Sequence, residues 1–183
     1  LTEKIQKTKE NGVDHLLWFD MEMTGLDVEK EVPIEVAATV TNKKLEIVDS
    51  YHAIINQPQK YLESMDDWNR KHHGNSGLLQ LIPSGKSTSV VEADLLQLLD
   101  KYWAEEKVIL AGNSISQDRL FINKYFQRFA ERLHYRMLDV TAFKIVFNNF
   151  YSRVFQKKNA HRASEDIQES LNELSFYLSF IEK

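Results

Sequence analysis

Residues 16–19, Leu-Leu-Trp-Phe, form a short apolar run that leads straight into two acids, Asp20 and Glu22, with Thr24-Gly25 close behind. No other feature narrows the folds open to this chain as much. An apolar run of that length, closed by turn residues, reads as a buried strand over residues 16–21. Side chains alternate along a strand, so Asp20 and Glu22 share one face, with Cα atoms about 6–7 Å apart. Acids at the end of a buried strand are costly without a cation. The pair is therefore a candidate metal site. Read alone, it fits equally a polar strand end with two solvated carboxylates.

The rest of the chain extends this strand into a sheet. Residues 34–41 and 45–51, separated by Asn42-Lys43-Lys44, read as a hairpin. Residues 58–73 read as short helices and residues 74–89 as loop. Val91, Leu95, Leu98, Leu99 and Tyr102 keep helical spacing. Residues 108–111 form a short strand ended by Gly112-Asn113. An aromatic helix is expected over residues 120–129 and a short strand over residues 136–138. Ile167, Leu171, Leu174, Leu178 and Ile181 step by four and three, as one long amphipathic helix does. Strands first, then strands alternating with helices, predict an α/β fold: a mixed sheet covered on both faces. The 183 residues suit one domain, taken as residues 16–183, behind a mobile polar tail over residues 1–15.

Three more residues join the strand acids. Asp118 follows a strand and a Gly-Asn turn and opens a helix. A first-turn acid favoured by the helix dipole is the plainer reading there. His161 and Asp166 stand five apart and would diverge by about 140° within one helix. They converge only if His161 lies on the lead-in or first turn. By itself His161 reads equally well as a surface residue at a helix start. Together, four carboxylates and one imidazole are what two-metal phosphodiester hydrolysis needs. Two ions about 3.5–4 Å apart hold the attacking and leaving oxygens, both prefer carboxylate oxygen, and a neutral His takes the proton from water.

Bulk properties exclude other classes. There is no cysteine, hence no disulfide framework and no thiolate metal site, and an intracellular home is expected. No apolar run approaches the ~18 residues of a membrane span, and no membrane association is expected. The net charge of −4 lacks the basic footprint of a protein that grips long nucleic acid. Gly85-Lys86-Ser87-Thr88 is not a phosphate loop, because Gln80 stands where that motif needs Gly.

Asp20-Met-Glu22-Met-Thr-Gly-Leu, Gly-Asn-Ser-Ile-Ser-Gln-Asp118 and His161-Arg-Ala-Ser-Glu-Asp166 resemble the three motifs of the DEDDh 3′→5′ exonucleases. With Met65-Asp-Asp-Trp-Asn, His72-His-Gly-Asn-Ser-Gly and His134-Tyr-Arg-Met-Leu-Asp-Val, the chain looks like the oligoribonuclease group, from about residue 16 to residue 177. Gln117 stands where most of these exonucleases have an aromatic, as in oligoribonucleases. The resemblance implies a ribonuclease-H-like fold of five strands with the first central, and two Mg²⁺ or Mn²⁺ ions per site held by Asp20, Glu22, Asp118 and Asp166. It implies His161 as general base, and short oligoribonucleotides cut to nucleoside 5′-monophosphates, with short DNA as a second candidate. Leu26 and Trp68 would pack against bases. His73, Ser114 and Thr141 would hydrogen-bond phosphate and sugar. Tyr135 and Arg136 would come from the partner of a homodimer and close the 5′-phosphate end. The run from His72 to Gly77 is similar to the eukaryotic branch, whose members are often mitochondrial, so that compartment is favoured over cytoplasm or nucleus.

Three other readings compete. Asp20-Met-Glu22-Met-Thr24 also resembles the strand-end motif of haloacid-dehalogenase-type phosphatases, with Asp20 as nucleophile. Glu22 departs from that pattern, and His161 and Asp166 are left unexplained. A binding module without activity is disfavoured because all five catalytic positions are filled. A DNA-proofreading subunit shares the chemistry, but Trp68 and Tyr135-Arg136 favour short RNA.

Overall fold

The computed structural model describes residues 14–156 and 162–181. The sheet is built from β1 (His15–Met23), β2 (Pro33–Asn42), β3 (Ile47–Ile54), β4 (Val108–Gly112) and β5 (Leu133–Asp139). Its order is β3-β2-β1-β4-β5, which puts β1 at the centre. β1–β2 and β2–β3 pair antiparallel, and β1–β4 and β4–β5 pair parallel. This is the mixed five-stranded sheet expected. β3 starts at Ile47 rather than at position 45, because Leu45 turns the hairpin with φ 62°.

Alternation along β1 divides the core. Leu17, Phe19, Met21 and Met23 face one side with Val36, Ala38 and Val40 of β2. They pack on α4 (Thr88–Trp103), α5 (Ser116–Tyr125) and α6 (Gln127–Arg132) through Leu95, Leu99, Phe121 and Phe129. Trp18 and Ala37 face the other side, under α7 (Val140–Tyr151) and α8 (Ala163–Leu178), against Phe147, Ile167, Leu171 and Leu174. With both faces covered, β2 is buried almost end to end, and its residues are mostly apolar apart from Glu35, Thr39 and Thr41. Asp20 and Glu22 continue the Trp18 face, so they point to the α8 side of the sheet, beyond the end of the apolar core.

Two expectations change, and one helix lies where none was expected. Residues 74–89 are not all loop: α3 (Leu78–Leu81) and a 3-10 turn (Ile82–Ser84) bury Leu78 and Ile82 against Val32, Ile34 and Met65. These follow α1 (Gln59–Ser64) and α2 (Asp67–Asn75). The expected helix over residues 120–129 is two helices, broken at Phe126, whose φ of −132° and ψ of 59° leave the helical region. α7 follows β5 without a turn, because Asp139 ends the strand and caps the helix by accepting from the Thr141 N–H. The tail expected over residues 1–15 lies outside the described residues as far as residue 13.

Candidate active site

Asp20, Glu22 and Asp166 come together. Each offers a carboxylate oxygen, and the three oxygens lie within 4.8 Å of one another. The first two come from the central strand. The third comes from the first turn of α8, where the helix dipole favours an acid. The strand end that carries Asp20 is fixed by close backbone packing. A Cβ on Gly112 would stand 2.8 Å from the Phe19 carbonyl oxygen, so only glycine lets β4 lie this close to β1.

Beyond Gly112 the chain turns through Ser114, at φ 50°, and enters α5. Asp118, in the first turn of α5, is 7% exposed. It is outside the cluster of three but near enough to Glu22 for their charges to repel. Burial, then Glu22 and Asp139, push its carboxyl up to about 8, against hydrogen bonds from its own backbone and that of Met21. Burial, then Asp166 and Glu35, push Glu22 up to about 7, with Arg162 opposing. Carboxylates crowded into a partly dry site hold protons through burial and mutual repulsion. An all-oxygen donor set of this kind fits a hard divalent ion such as Mg²⁺ or Mn²⁺.

His73 is buried on α2; its Nε2 lies 2.9 Å from the Met23 carbonyl oxygen and its Nδ1 lies 3.9 Å from Glu22 Oε2. Trp68, one helical turn before, is 65% exposed and stacks on His72 with ring centroids 4.6 Å apart. Leu26 is 72% exposed at the tip of the loop that joins β1 to β2. That loop is braced from α5. Gln117 Nε2 donates to the Leu26 carbonyl at 2.7 Å, Lys124 Nζ to the Val28 carbonyl at 2.5 Å, and the Tyr125 hydroxyl to the Glu31 carbonyl at 2.6 Å. Ser114 and Thr141 meet with hydroxyl oxygens 3.2 Å apart, and the Ser114 N–H donates to Asp139 Oδ1 and Thr141 Oγ1. Tyr135, 75% exposed, and Arg136, whose guanidinium lies 5.2 Å from the Tyr135 ring centre, stand on edge strand β5. β4 lies between that strand and β1. His161 lies outside the described residues.

Sequence reading passed over Glu35, Arg162 and Asp139. Glu35 is fully buried on β2 directly opposite Glu22, and it pairs with Arg162 at 2.7 Å. The signal was present: a lone acid inside an apolar strand must have a partner.

An exonuclease family model, RNase_T, matches residues 17–174. An oligoribonuclease of Francisella tularensis subsp. tularensis (strain WY96-3418) is 44% identical over 170 residues, covering 91% of this chain and 95% of that protein. An oligoribonuclease of Shewanella sp. (strain W3-18-1) is 38% identical over 177 residues, covering 94% and 98%. Among solved structures, the zinc-bound complex of E. coli exonuclease I with single-stranded DNA superposes with a TM-score of 0.73 at 13% identity, over 92% of this chain and 41% of that one. Exonuclease I of Methylocaldum szegediense gives 0.69 at 12%, over 92% and 41%. This chain spans about two fifths of those exonuclease I chains, and at such identity the likeness speaks for the fold alone. The family match over nearly the whole described chain, and relatives this similar from end to end, place the protein: it belongs to the oligoribonuclease family of exonucleases.

Proposed function

We propose that this chain is a homodimeric 3′→5′ exoribonuclease that cuts RNAs of about two to five nucleotides to nucleoside 5′-monophosphates. That length is set by one stacking wedge and one phosphate cap. The convergence of Asp20, Glu22 and Asp166 on one point, beside a buried Asp118, carries the reading. Asp20, Glu22, Asp118 and Asp166 would hold two Mg²⁺ or Mn²⁺ ions, which when bound would neutralise charge on the attacking and leaving oxygens. His161 would take the proton of the attacking water. Leu26 and Trp68, both large and exposed, offer apolar surface to the last bases, the Trp68 ring as a flat stacking face. Stacking of this kind tolerates any sequence.

Two observations support the homodimer. Tyr135 and Arg136 are exposed on an edge strand, where they suit a partner's site. The helix that follows, α7, exposes Ile145, Val146, Phe150 and Tyr151, apolar residues suited to a second copy. Arg136 from one protomer would then hold the 5′-phosphate in the other's site by a charge-assisted bond, leaving a long strand no exit.

The test is hydrolysis of labelled RNAs of two to twenty nucleotides with Mg²⁺ or Mn²⁺, with and without chelator, alongside DNA of matching length. Metal-dependent release of monophosphates, fastest on the shortest RNAs, is expected. Equal rates on two- and twenty-nucleotide RNA, or a fully active monomer, would remove the length and dimer readings while leaving the two-metal chemistry.

A further inference from the structure

Glu35 is a carboxylate with no contact to solvent, in a strand whose other inward residues are apolar or hydroxylic. Its position is not neutral: in the β1–β2 register it is the direct cross-strand partner of Glu22. Every donor it takes comes from outside β2. Arg162 Nε lies 3.0 Å from Oε1 and 3.2 Å from Oε2, and Arg162 Nη2 lies 2.7 Å from Oε1. His52 Nε2, on β3, lies 2.6 Å from Oε1, and the Ala163 N–H donates to Oε2 at 3.4 Å. Both oxygens are thus engaged by nitrogen groups.

Two of those donors, Arg162 and Ala163, belong to the start of α8; His52 belongs to β3. Arg162 is the residue that precedes the helix, and its own side chain caps nothing there. Its carbonyl instead accepts the N–H of Glu165 at 2.8 Å and that of Asp166 at 2.9 Å. Glu35 therefore grips the first turn of α8 twice, through the Arg162 fork and through the Ala163 N–H. It does the work of an N-cap from another element. The turn so held presents Asp166 to the strand acids, and Arg162 is also the chain neighbour of the proposed base, His161.

We propose that Glu35 is a positioning residue of the metal site: from the strand position opposite Glu22 it docks the first turn of α8, through Arg162 and Ala163, so that Asp166 meets Asp20 and Glu22 at one point. The proposal rests on the metal reading of those three acids. Outer groups that orient metal ligands commonly affect metal affinity or activity by about 10–100-fold when changed, and an effect of that size is expected here.

The test uses Glu35→Gln, which keeps shape and removes charge, with Arg162→Lys, Arg162→Met and the Glu35→Gln/Arg162→Met pair. Mn²⁺ affinity is measured by electron paramagnetic resonance on the folded protein. Unfolding curves are recorded beside it, and kcat and KM are measured on a dinucleotide. Expected are a roughly tenfold or greater weakening of Mn²⁺ binding in Glu35→Gln and Arg162→Met, and a fall in kcat with little change in KM. Arg162→Lys should recover part of the loss, and the double variant should be no worse than the worse single one, as for two residues acting as a unit. Lower stability with wild-type Mn²⁺ affinity and kcat would make the pair merely structural and overturn the proposal. So would failure of every variant to fold. Asp20→Asn, run in parallel, separates the premises: if it leaves Mn²⁺ binding unchanged, the metal site itself is misplaced.

Discussion

Without divalent metal, the protein should lose stability as pH rises from 5 to 8, and Glu22 should carry much of that loss. Its carboxyl titrates near 7 in the fold against an ordinary 4.5, through burial first and then Asp166 and Glu35. The folded protein therefore binds this proton more tightly than the unfolded chain. Its contribution is fully present below about pH 4.5 and is lost as pH rises through about 7. The whole difference corresponds to about 3 kcal/mol, of which about 2–3 kcal/mol falls between pH 5 and 8. Asp118, raised to about 8, prolongs the decline in the same direction. Carboxyls held low by lysine partners, such as Asp49 and Asp94, act only under more acid conditions and leave this window clear. The assay is thermal or urea unfolding in EDTA at several pH values, for wild type and Glu22→Gln. Glutamine cannot ionise, so the variant should gain on wild type steadily with pH. The gain should reach about 2–3 kcal/mol, or roughly 5–10 °C in Tm for a domain of this size. Saturating Mg²⁺ should reverse the trend in wild type, since a bound ion takes the ionised carboxylates. Parallel curves for the two proteins across pH 5–8 would refute the account of Glu22 as a crowded, uncompensated acid.

Other expectations follow from the site. Asp20→Asn and Asp166→Asn should lower RNA hydrolysis by orders of magnitude while circular dichroism shows an intact fold, because each supports the same two-ion clamp. His161→Ala should cut kcat by about 10²–10⁴ and leave Mn²⁺ affinity near wild type; a loss of affinity as deep as that of Asp20→Asn would make His161 a ligand. Trp68→Ala should weaken dinucleotide binding by about 1–3 kcal/mol, read as a raised Kd for a non-hydrolysable analogue. Arg136→Ala and Asp118→Ala chains, each impaired alone, should regain activity when mixed, since one site of the hybrid dimer is then complete.

The strand acids were legible because a period of two is a strong constraint: once residues 16–19 form a strand, Asp20 and Glu22 must share a face. Asp118 alone read as a first-turn helix acid and became a site candidate only through its likeness to the exonuclease motif, and Asp166 through its spacing to His161. Glu35 was legible only as an acid in need of a partner, since His52 and Arg162 lie 17 and 127 residues away and nothing local identifies them. The break at Phe126 was hidden because apolar spacing continues across it, and periodicity does not report a change in φ. α7 was missed for a related reason: it begins where β5 ends, on the same Asp139, with no Gly or Pro between them.

The brace beneath Leu26 has a consequence for how this loop can change. Gln117, Lys124 and Tyr125 grip the carbonyls of Leu26, Val28 and Glu31, and every amino acid has a carbonyl. The hold is thus blind to the identity of the residues it holds. Leu26 can be replaced without breaking the bond from Gln117, whereas a change at Gln117 removes the brace under the wedge even though Leu26 itself is untouched. This part of the constraint on the loop sits on a helix elsewhere in the chain.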